Sequence, residues 1–392
     1  MTRVAYITAR YPFGTGEAFL GPEARELARR ADCLTVIPTR PTRHVLHEDA
    51  RPLLSSTIAV GLVSAPAVYA LAWHGRKVPQ TVARIRASRS PRVLCKNLAV
   101  TPKAAWLART LDRLEVGHVH VHWGGTSSTM AMLACEQIGV PWSLTLHRWD
   151  IDEDNLLAEK VTSAAFVRAI SQFGAQRIRE RVPAARPDVV HMGVDVPAVP
   201  APRRAIRGRL HLLAIGSLTP QKGHLTLLDA MRLAGPGVTL DVVGDGPLRS
   251  MLESELRDAR LRERVRLLGQ LPHARLLQRL SAGDWDALVH PSPVGNGYDE
   301  GIPVALMEAM AAGLPVIAFP SGGVPELISP GAGLLIEGTG AEQLADGITE
   351  LADDPERAGE LAEGGIARIR AEFDAARIAD QLAARFAGEL HA

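Results

Sequence analysis

The chain has few cysteines, few aromatic residues and almost no net charge. Its three cysteines, Cys33, Cys95 and Cys135, lie far apart. They form neither a disulfide framework nor a CxxC metal motif, and they fit a reducing compartment. The net charge is +1 and the aromatic content 4%. Both values argue against nucleic acid as a partner, because nucleic-acid-binding proteins use basic patches and stacking aromatics.

Long hydrophobic runs are also lacking. The longest covers residues 58–73 and is interrupted by Pro66, so it is shorter than the ~20 residues of a membrane-spanning helix. The N-terminus is too short an apolar run for a signal peptide. We therefore expect a cytoplasmic protein with helices of its core at 58–73. The alternative is a surface that rests on the cytoplasmic face of a membrane or holds a lipid-linked acceptor, aided by the basic residues Arg84, Arg86, Arg89 and Arg92.

The length of 392 residues predicts two domains, since single cores rarely exceed ~250–300 residues. Strand-like apolar runs alternate with helical patterns in both halves, which indicates parallel α/β sheets. The predicted strands include 118–122, 142–146, 287–290 and 314–319, and the predicted helices include 224–233, 248–260 and 304–312. The Pro- and Arg-rich stretch 197–209 is typical of a linker. We predict an N-terminal Rossmann-like domain over 1–196, a C-terminal one over 210–371 and a final helix over 372–392. Two such domains predict a ligand cleft at the carboxyl ends of their sheets.

The most informative segment is EGIPVALMEAMAAG, which begins at Glu300 and contains Glu308. Pro303 suits a first helical position, and Gly313 ends the helix. Free backbone N–H groups at a helix start attract an anion. Carboxylates accept hydrogen bonds from several hydroxyls at once. The spacing therefore suits a nucleotide sugar, although a loop Glu and a solvated helix Glu would show the same pattern.

Two further turns each join a strand to a helix in the second half. GSLTPQKG, from Gly216, brings Lys222 to a helix start, where it can neutralise a diphosphate; the GxxxxGK[ST] order of a P-loop is absent. Gly244 and Gly246, in VVGDGPLR, allow the backbone to approach a ligand, or simply make the turn.

In the first half, FGTGEAF supplies Gly14, Gly16 and Glu17 after the first strand. Phe19 replaces the third glycine of a GxGxxG motif, so NAD binding is not expected. Glu17 opens the next helix, where it can complement the helix dipole.

Histidines mark the strand ends of this half. His147 follows the strand 142–146, at the predicted cleft, and can donate to a sugar hydroxyl, although a lone His is usually structural. His118, His120 and His122 share one face of a strand. A packed strand end is expected for them over a metal site, and no metal is predicted. Two DxD pairs, at Asp150 and Asp284, are interpreted as structural.

These segments together resemble retaining glycosyltransferases of the GT-B fold, glycosyltransferase family 4. Four motifs match in the family's order: the KG segment at 216–223, GDGP at 244–247, the two-Glu signature at 300–311 and GGVPE at 322–326. The stretches 118–151 and 167–178 are similar to the family's acceptor domain. The opening 9–28 resembles the exopolysaccharide and natural-product branches, and the likeness covers nearly the whole chain.

The resemblance implies an α/β GT-B fold: two Rossmann-like domains that face each other across a cleft, with the last helix packing back on the first domain. It implies transfer of a hexosyl or N-acetylhexosaminyl group, with retention and without a metal, from a nucleotide diphosphate sugar, UDP or GDP being expected. The acceptor would be a saccharide, a lipid-linked glycan or a small-molecule aglycone. The product would be a polysaccharide or a glycosylated natural product such as an antibiotic.

The family's roles pass to matching positions of this chain. Glu308 would bind the ribose, Glu300 and His147 the transferred sugar, and Lys222 the leaving phosphate. The donor-binding set is completed by the following residues: Gly301, Ile302, Val304, Ser217, Gly244 and Gly246. The acceptor side would be formed by the following residues: Gly14, Gly16, Glu17, His122 and Asp150.

One departure concerns the diphosphate site. The family often has Arg five positions before the Lys, and here that position is Ser217; His224 is a candidate for the missing cation. Two other functions remain open at this point. One is a GT-B epimerase or phosphorylase, for which no pyridoxal lysine motif is visible. The other is a non-catalytic nucleotide-sugar-binding partner.

Overall fold

The computed structural model describes residues 2–14, 16–31, 33–42, 48–62, 64–67, 83–200, 209–295, 297 and 299–389. They divide into two compact units. The first takes the described residues of Met1–His191 and of Ala375–Ala392, and the second those of Met192–Asp374. The second unit starts before the predicted linker, most of which lies outside the described residues. Its start is tied to its end, because the N–H of Val194 donates to the carbonyl oxygen of Phe373 at 2.9 Å.

The first unit is built on a parallel sheet. Its strands are β1 Arg3–Thr8, β2 Cys33–Pro38, β3 His118–His122, β4 Trp142–Leu146, β5 Phe166–Ala169 and β6 Asp188–Val189. The order is β2-β1-β3-β4-β5-β6. The helices are α1 Gly21–Arg30, α2 Pro91–Arg113, α3 Thr126–Ile138, α4 Arg148–Glu153, α5 Leu157–Ser163 and α6 Gln172–Arg181. The short 3₁₀ segments Ala18–Leu20 and Glu48–Ser56 complete these elements. β3 and β4 are buried throughout, as expected of parallel strands covered on both faces.

The second unit has its own parallel sheet. Its strands are β7 Leu210–Ile215, β8 Val238–Val243, β9 Val265–Gly269, β10 Ala287–His290, β11 Val316–Ala318 and β12 Leu334–Leu335. The order is β12-β11-β10-β7-β8-β9. The helices are α7 His224–Leu233, α8 Arg249–Glu255, α9 Ala259–Arg262, α10 His273–Ser281, α11 Val304–Ala312, α12 Val324–Leu327, α13 Ala341–Asp353 and α14 Pro355–Glu372. The 3₁₀ turn Pro220–Lys222 precedes α7.

The last helix, α15 Ala375–Phe386, belongs to the first unit and packs against α1. Its Asp380 Oδ1 accepts from Arg30 Nε at 2.5 Å, and Phe386 stacks near His118 with ring centroids 4.9 Å apart. The predicted return of the C-terminal helix to the first domain is therefore confirmed.

The structure corrects three element predictions. The helix expected at 248–260 is two helices, α8 and α9, because Asp258 caps the second by accepting the N–H of Arg260 at 2.9 Å. The strand expected at 314–319 is limited to β11. The long helix α2 was not predicted, although Ser90 caps its start by accepting the N–H of Val93 at 3.3 Å. Pro102 lies inside this helix, and a proline usually indicates a helix end.

The apolar run 58–73 lies partly outside the described residues. Two of the nearby basic side chains form ion pairs, Arg84 with Glu136 at 2.8 Å and Arg89 with Asp154 at 3.8 Å. Among the helices that the structure describes, none has the length and apolar character to cross a bilayer.

Candidate active site

The strand order of the second unit reverses between β7 and β10, which are direct neighbours. The connections that leave the carboxyl ends of these two strands therefore run to opposite sides, and a crevice forms between them. Such a crevice is the usual ligand position in an open parallel sheet. The loop after β7 carries Lys222, and the loop after β10 carries Glu300. Lys222 Nζ donates to Glu300 Oε1 at 2.5 Å. The structure thus brings two predicted catalytic residues into contact, although they lie far apart in sequence.

Glu300 is held as an anion by three neighbours. Ser292 Oγ also donates to its Oε1, at 2.7 Å, and His290 Nε2 lies 3.5 Å from the same oxygen. Burial alone would raise the pKa of Glu300, but His290 and Lys222 outweigh it and lower the pKa well below the usual carboxyl range. Among the described residues, none donates a hydrogen bond to its Oε2, so this oxygen can accept hydrogen bonds from the hydroxyls of a ligand.

The helix α11 begins immediately after this loop. The sequence predicted Pro303 as the first residue of the helix. In the structure it precedes the helix, with φ −69° and ψ 119°. The helix start at Val304 follows Gly301 and Ile302, and its first N–H groups have no partner within the helix. The positive end of α11 therefore adjoins the Glu300 loop and can face an anionic ligand.

The GGVPE segment supports the Glu300 loop. A Cβ on Gly322 would lie 2.0 Å from the carbonyl oxygen of Glu300, and φ is +55° there. The N–H of Gly323 donates to that carbonyl at 3.2 Å, and the N–H of Glu300 donates to Ser321 Oγ at 3.2 Å. Only glycine allows this close approach, so the motif shapes the loop that carries Glu300.

Glu308 lies further along α11 and has a different partner. Its Oε1 contacts His273 Nε2 at 2.6 Å, and its side chain is 9% exposed. His273 begins α10, just beyond the end of β9. The two acids of the signature thus have different partners, a lysine for Glu300 and a histidine for Glu308.

Gly244 and Gly246 allow the loops after β7 and β8 to touch. A Cβ on Gly244, where φ is +153°, would lie 1.8 Å from the carbonyl oxygen of Gly216. A Cβ on Gly246 would lie 2.7 Å from that of Leu218. Ser217 stands exposed beside these contacts. The glycines thus permit a close contact between the two backbones, and their role in donor binding remains a prediction.

His224 does not replace the missing arginine. It is 3% exposed, and its Nε2 lies 3.3 Å from the carbonyl oxygen of Ser217. Burial lowers its pKa to about 4, so the ring is neutral at pH 7. The suggestion that it supplies a second cation is therefore wrong, and Lys222 is the cation that contacts Glu300.

In the first unit, the strand order reverses between β1 and β3, and His147 lies near this second crevice. Its ring stacks on Trp123, with centroids 4.5 Å apart and planes at 30°. Phe19 meets it edge-on at 5.8 Å. Its Nε2 lies 3.4 Å from Nδ1 of His122. Burial lowers the pKa of His147 well below its usual value, and the positive charge of Arg168 acts in the same direction.

Asp150 shapes the helix start beside His147. Its Oδ2 accepts the N–H of His147 at 2.9 Å, as part of a capping box for α4. Burial raises its pKa to about 7. The neighbouring Asp152 pairs with Arg177 at 2.6 Å, so this DxD pair serves the fold, as predicted. At the other pair, Asp286 Oδ2 accepts the N–H of His211 at 2.7 Å.

Glu17 does not complement a helix dipole, contrary to the prediction. Its φ is +66°, and its carboxylate turns back to the loop after β1. There it accepts the N–H groups of Ala9, Arg10 and Tyr11 at 3.2, 2.6 and 2.8 Å. The indole N–H of Trp123 also donates to it. Glu17 thus joins the ends of β1 and β3, and four donors occupy its oxygens.

Gly14 and Gly16 flank this turn. Gly14 has φ +86°, and a Cβ on Gly16 would meet no atom within 4 Å. Gly14 is therefore required by its backbone conformation, whereas nothing near Gly16 demands a glycine. Their contact with an acceptor remains a prediction.

The β3 histidines lie on one face, as predicted. His118 Nε2 and His120 Nδ1 both lie 2.8 Å from Ser143 Oγ, and His120 Nε2 lies 2.9 Å from Thr145 Oγ1. His122 contacts Glu23. Ligand atoms of Glu23, His120 and His122 lie within 4.8 Å of one another. Each already has a protein partner.

Several residues of these two clusters were not predicted. They are His273, His290, Ser292, Glu23, Arg168 and Trp123. The only available signal was position, because His290 ends β10 and Trp123 directly follows β3. Ligand-binding side chains collect at such carboxyl ends of parallel strands. The partners of Glu23 lie far away in sequence, and no local pattern indicates them.

Comparison with known proteins identifies the family. Residues 202–368 match the family described as Glycosyl transferases group 1. A GDP-mannose-dependent monoacylated alpha-(1-6)-phosphatidylinositol monomannoside mannosyltransferase of Corynebacterium glutamicum is 31% identical over 300 residues, which are 70% of this chain and 77% of that protein. The chain belongs to the group 1 glycosyl transferases.

Two further proteins are similar to this glycosyltransferase, one in part of its sequence and one in its fold. The amylovoran biosynthesis glycosyltransferase AmsK of Erwinia amylovora is 35% identical over 151 residues, 37% of each chain. HepE of Anabaena, crystallised in complex with UDP, superimposes with a TM-score of 0.74 over 99% of this chain and 100% of its own, at 18% identity. That likeness shows the fold alone. The prediction of a two-domain α/β GT-B glycosyltransferase is confirmed.

Proposed function

We propose that the chain transfers a hexosyl group, with retention and without a metal, from a nucleotide diphosphate sugar to a hydroxyl of a glycan acceptor. The observation that carries the proposal is the cluster of Lys222, Glu300 and the start of α11 at the β7/β10 crevice. It joins a cation and a helix N-terminus, which suit a diphosphate, to an ionised carboxylate, which suits sugar hydroxyls.

Each residue of the proposed site in the second unit then has a separate role. Glu308, positioned by His273, binds the ribose hydroxyls. Lys222 and the α11 N–H groups neutralise the diphosphate. Glu300 grips the sugar through its Oε2 and stabilises positive charge on the ring. Its lowered pKa supports this role, because the carboxylate stays ionised across the physiological range.

The reaction breaks the bond between the anomeric carbon and a diphosphate oxygen. The acceptor oxygen forms its new bond to the anomeric carbon on the same face, and its proton passes to the departing phosphate. The products are a nucleoside diphosphate and a glycoside of unchanged anomeric configuration. The transition state is oxocarbenium-like, so negative charge grows on the diphosphate and positive charge on the sugar. Lys222 stabilises the negative charge on the diphosphate, and Glu300 stabilises the positive charge on the sugar.

The relatives indicate which substrates to test first. The corynebacterial protein is named as GDP-mannose-dependent and acts on a phosphatidylinositol monomannoside. HepE has been crystallised with UDP-glucose. We propose a GDP- or UDP-hexose as donor and a saccharide or lipid-linked glycan as acceptor. His147 hydrogen-bonds the transferred sugar, and other residues of the first unit bind the acceptor.

The experiment is a thermal-shift screen of nucleoside diphosphate sugars, followed by ¹H NMR of the transfer product. A bound donor at 100 times its Kd should stabilise the fold by about 2.7 kcal/mol. The anomeric coupling of the product should match that of the donor. An inverted product would contradict the mechanism. Isomerised donor without any glycoside would contradict the activity, and so would tight binding without turnover across acceptors.

A further inference from the structure

A chain of buried polar groups leads from the interior of the first unit to His147. It consists of Glu23, His122 and His147, and we call it the His147 relay. Glu23 and His122 are both 0% exposed. Glu23 and His122 have no part in the transfer chemistry described above, yet they lead to His147, to which that chemistry assigns a contact with the sugar.

Glu23 is fixed as a carboxylate at the inner end. Arg168 Nη1 donates to its Oε2 and the hydroxyl of Tyr6 to its Oε1, both at 2.7 Å. Arg168 is fixed in turn, because its Nε donates to the carbonyl oxygen of Val190 at 2.7 Å. Burial would raise the pKa of Glu23, but Arg168 and His122 outweigh burial and lower it. An ionised carboxylate can only accept hydrogen bonds.

The proton positions along the relay follow from this end. His122 Nε2 lies 3.0 Å from Glu23 Oε1, so this nitrogen carries the proton. The charges of Glu23 and Arg168 already cancel, and a buried imidazolium would add an uncompensated charge, which is costly. His122 is therefore neutral, and its Nδ1 is an acceptor. In neutral imidazole the hydrogen bond at one nitrogen decides the state of the other.

The same reasoning applies to the second histidine. His147 Nε2 lies 3.4 Å from His122 Nδ1, a long contact that can tighten when a ligand binds. To meet an acceptor, His147 Nε2 must carry the proton, and its Nδ1 is then an acceptor. The N–H of Asp150 donates to the backbone carbonyl oxygen of His147 at 3.0 Å. Stacking on Trp123 fixes the plane of the ring.

We propose that Glu23 and His122 are positioning residues of the transfer reaction, which hold His147 as the neutral Nε2–H tautomer. A sugar hydroxyl at Nδ1 must then donate its hydrogen. This reverses the direction of the hydrogen bond expected from the sequence, and it means that His147 is not a cation for the departing phosphate. The inference rests on the proposed function, which gives His147 contact with the sugar.

The first test needs no variant. Protein with ¹⁵N-labelled histidine is studied by two-dimensional ¹H–¹⁵N NMR, and His147→Gln identifies the signal of His147. A protonated Nε2 with an unprotonated Nδ1 is expected at pH 7.5. A protonated Nδ1, or an imidazolium, would overturn the proposal whether or not any sugar is transferred.

The second test uses matched variants, His122→Gln and His120→Gln. Both residues are buried on the same face of β3, but His120 contacts Ser143 and Thr145 instead of His147. Loss of a positioning partner typically lowers activity about 10–100-fold. We expect that loss in kcat for His122→Gln, with a mixed His147 tautomer and unchanged nucleoside diphosphate Kd. His120→Gln should keep the tautomer and most of kcat.

The outcomes separate the relay from the proposed function. Equal loss of kcat in both variants, with the His147 tautomer unchanged, would assign His122 a structural role only and overturn the proposal. Glu23→Gln gives an independent check, because its amide no longer requires a proton at His122 Nε2, so the tautomer should again become mixed. If the wild-type protein transfers no sugar to any acceptor, the proposed function fails, and the positioning role in transfer fails with it.

Discussion

Lys222 offers the sharpest test of how the diphosphate is bound. Replacement by methionine keeps the length of the side chain and removes the charge. Hydrogen bonds to charged groups contribute ~1.5–3 kcal/mol. Lys222 Nζ donates to Glu300 at 2.5 Å. Because a diphosphate competes with this carboxylate for the lysine, it gains only part of that amount. We therefore expect the lower end, about 1.5 kcal/mol, which is about a tenfold increase in Kd.

The assay is isothermal titration with nucleoside diphosphates and with the corresponding nucleosides. Lys222→Met should weaken UDP or GDP about tenfold and leave uridine or guanosine unchanged, because the ribose is assigned to Glu308. Lys96→Met serves as a control, since it removes a partly exposed ion pair with Glu153 of 2.8 Å in the first unit. An equal loss for nucleoside and diphosphate, or no loss for either, would refute this account of the site.

Two further predictions concern stability. Gly244→Ala should lower the free energy of unfolding by more than ~3 kcal/mol, because its Cβ would lie 1.8 Å from a carbonyl oxygen. Gly139→Ala, at a position with φ +74° and no atom within 4 Å, should lower it by only about 1 kcal/mol. Thermal unfolding measures both changes. The lowered pKa of Glu300 stabilises the fold above about pH 4.3, and this contribution is lost as the pH falls through the lowered pKa. The difference in Tm between wild type and Lys222→Met should therefore be full at pH 7 and shrink on acidification below about pH 4; a difference that does not depend on pH would contradict the ion pair.

The sequence predicted best those elements whose boundaries have a local cause. The helices α7 and α11 and the strands β3, β4 and β10 run over the predicted residues. Each has a strong apolar pattern, and α11 also has the αL glycine Gly313 after its last residue. The helix α2 was missed because Pro102 lies inside it, where packing against α3 tolerates it. Tertiary packing, which local propensity does not report, decided that case.

The site was predictable as a set of positions but not as a set of contacts. Glu300 and Lys222 could be placed near a helix start from their motifs. Their ion pair depends on β10 lying next to β7, which sequence spacing cannot reveal. Glu17 shows the opposite failure. Its position after β1 predicted an acid that complements a helix dipole, whereas a left-handed backbone turns its carboxylate to the indole of Trp123.

The central claim is that Glu300 acts on the sugar at a nucleotide-binding crevice in the second unit. The most direct measurement is the transfer rate of Glu300→Gln compared with its affinity for the nucleoside diphosphate. Loss of one electrostatic contact to a transition state typically lowers kcat about 10²–10³-fold. The account predicts such a loss in kcat, with a Kd for UDP or GDP within about threefold of wild type. Transfer at the wild-type rate by Glu300→Gln would contradict it.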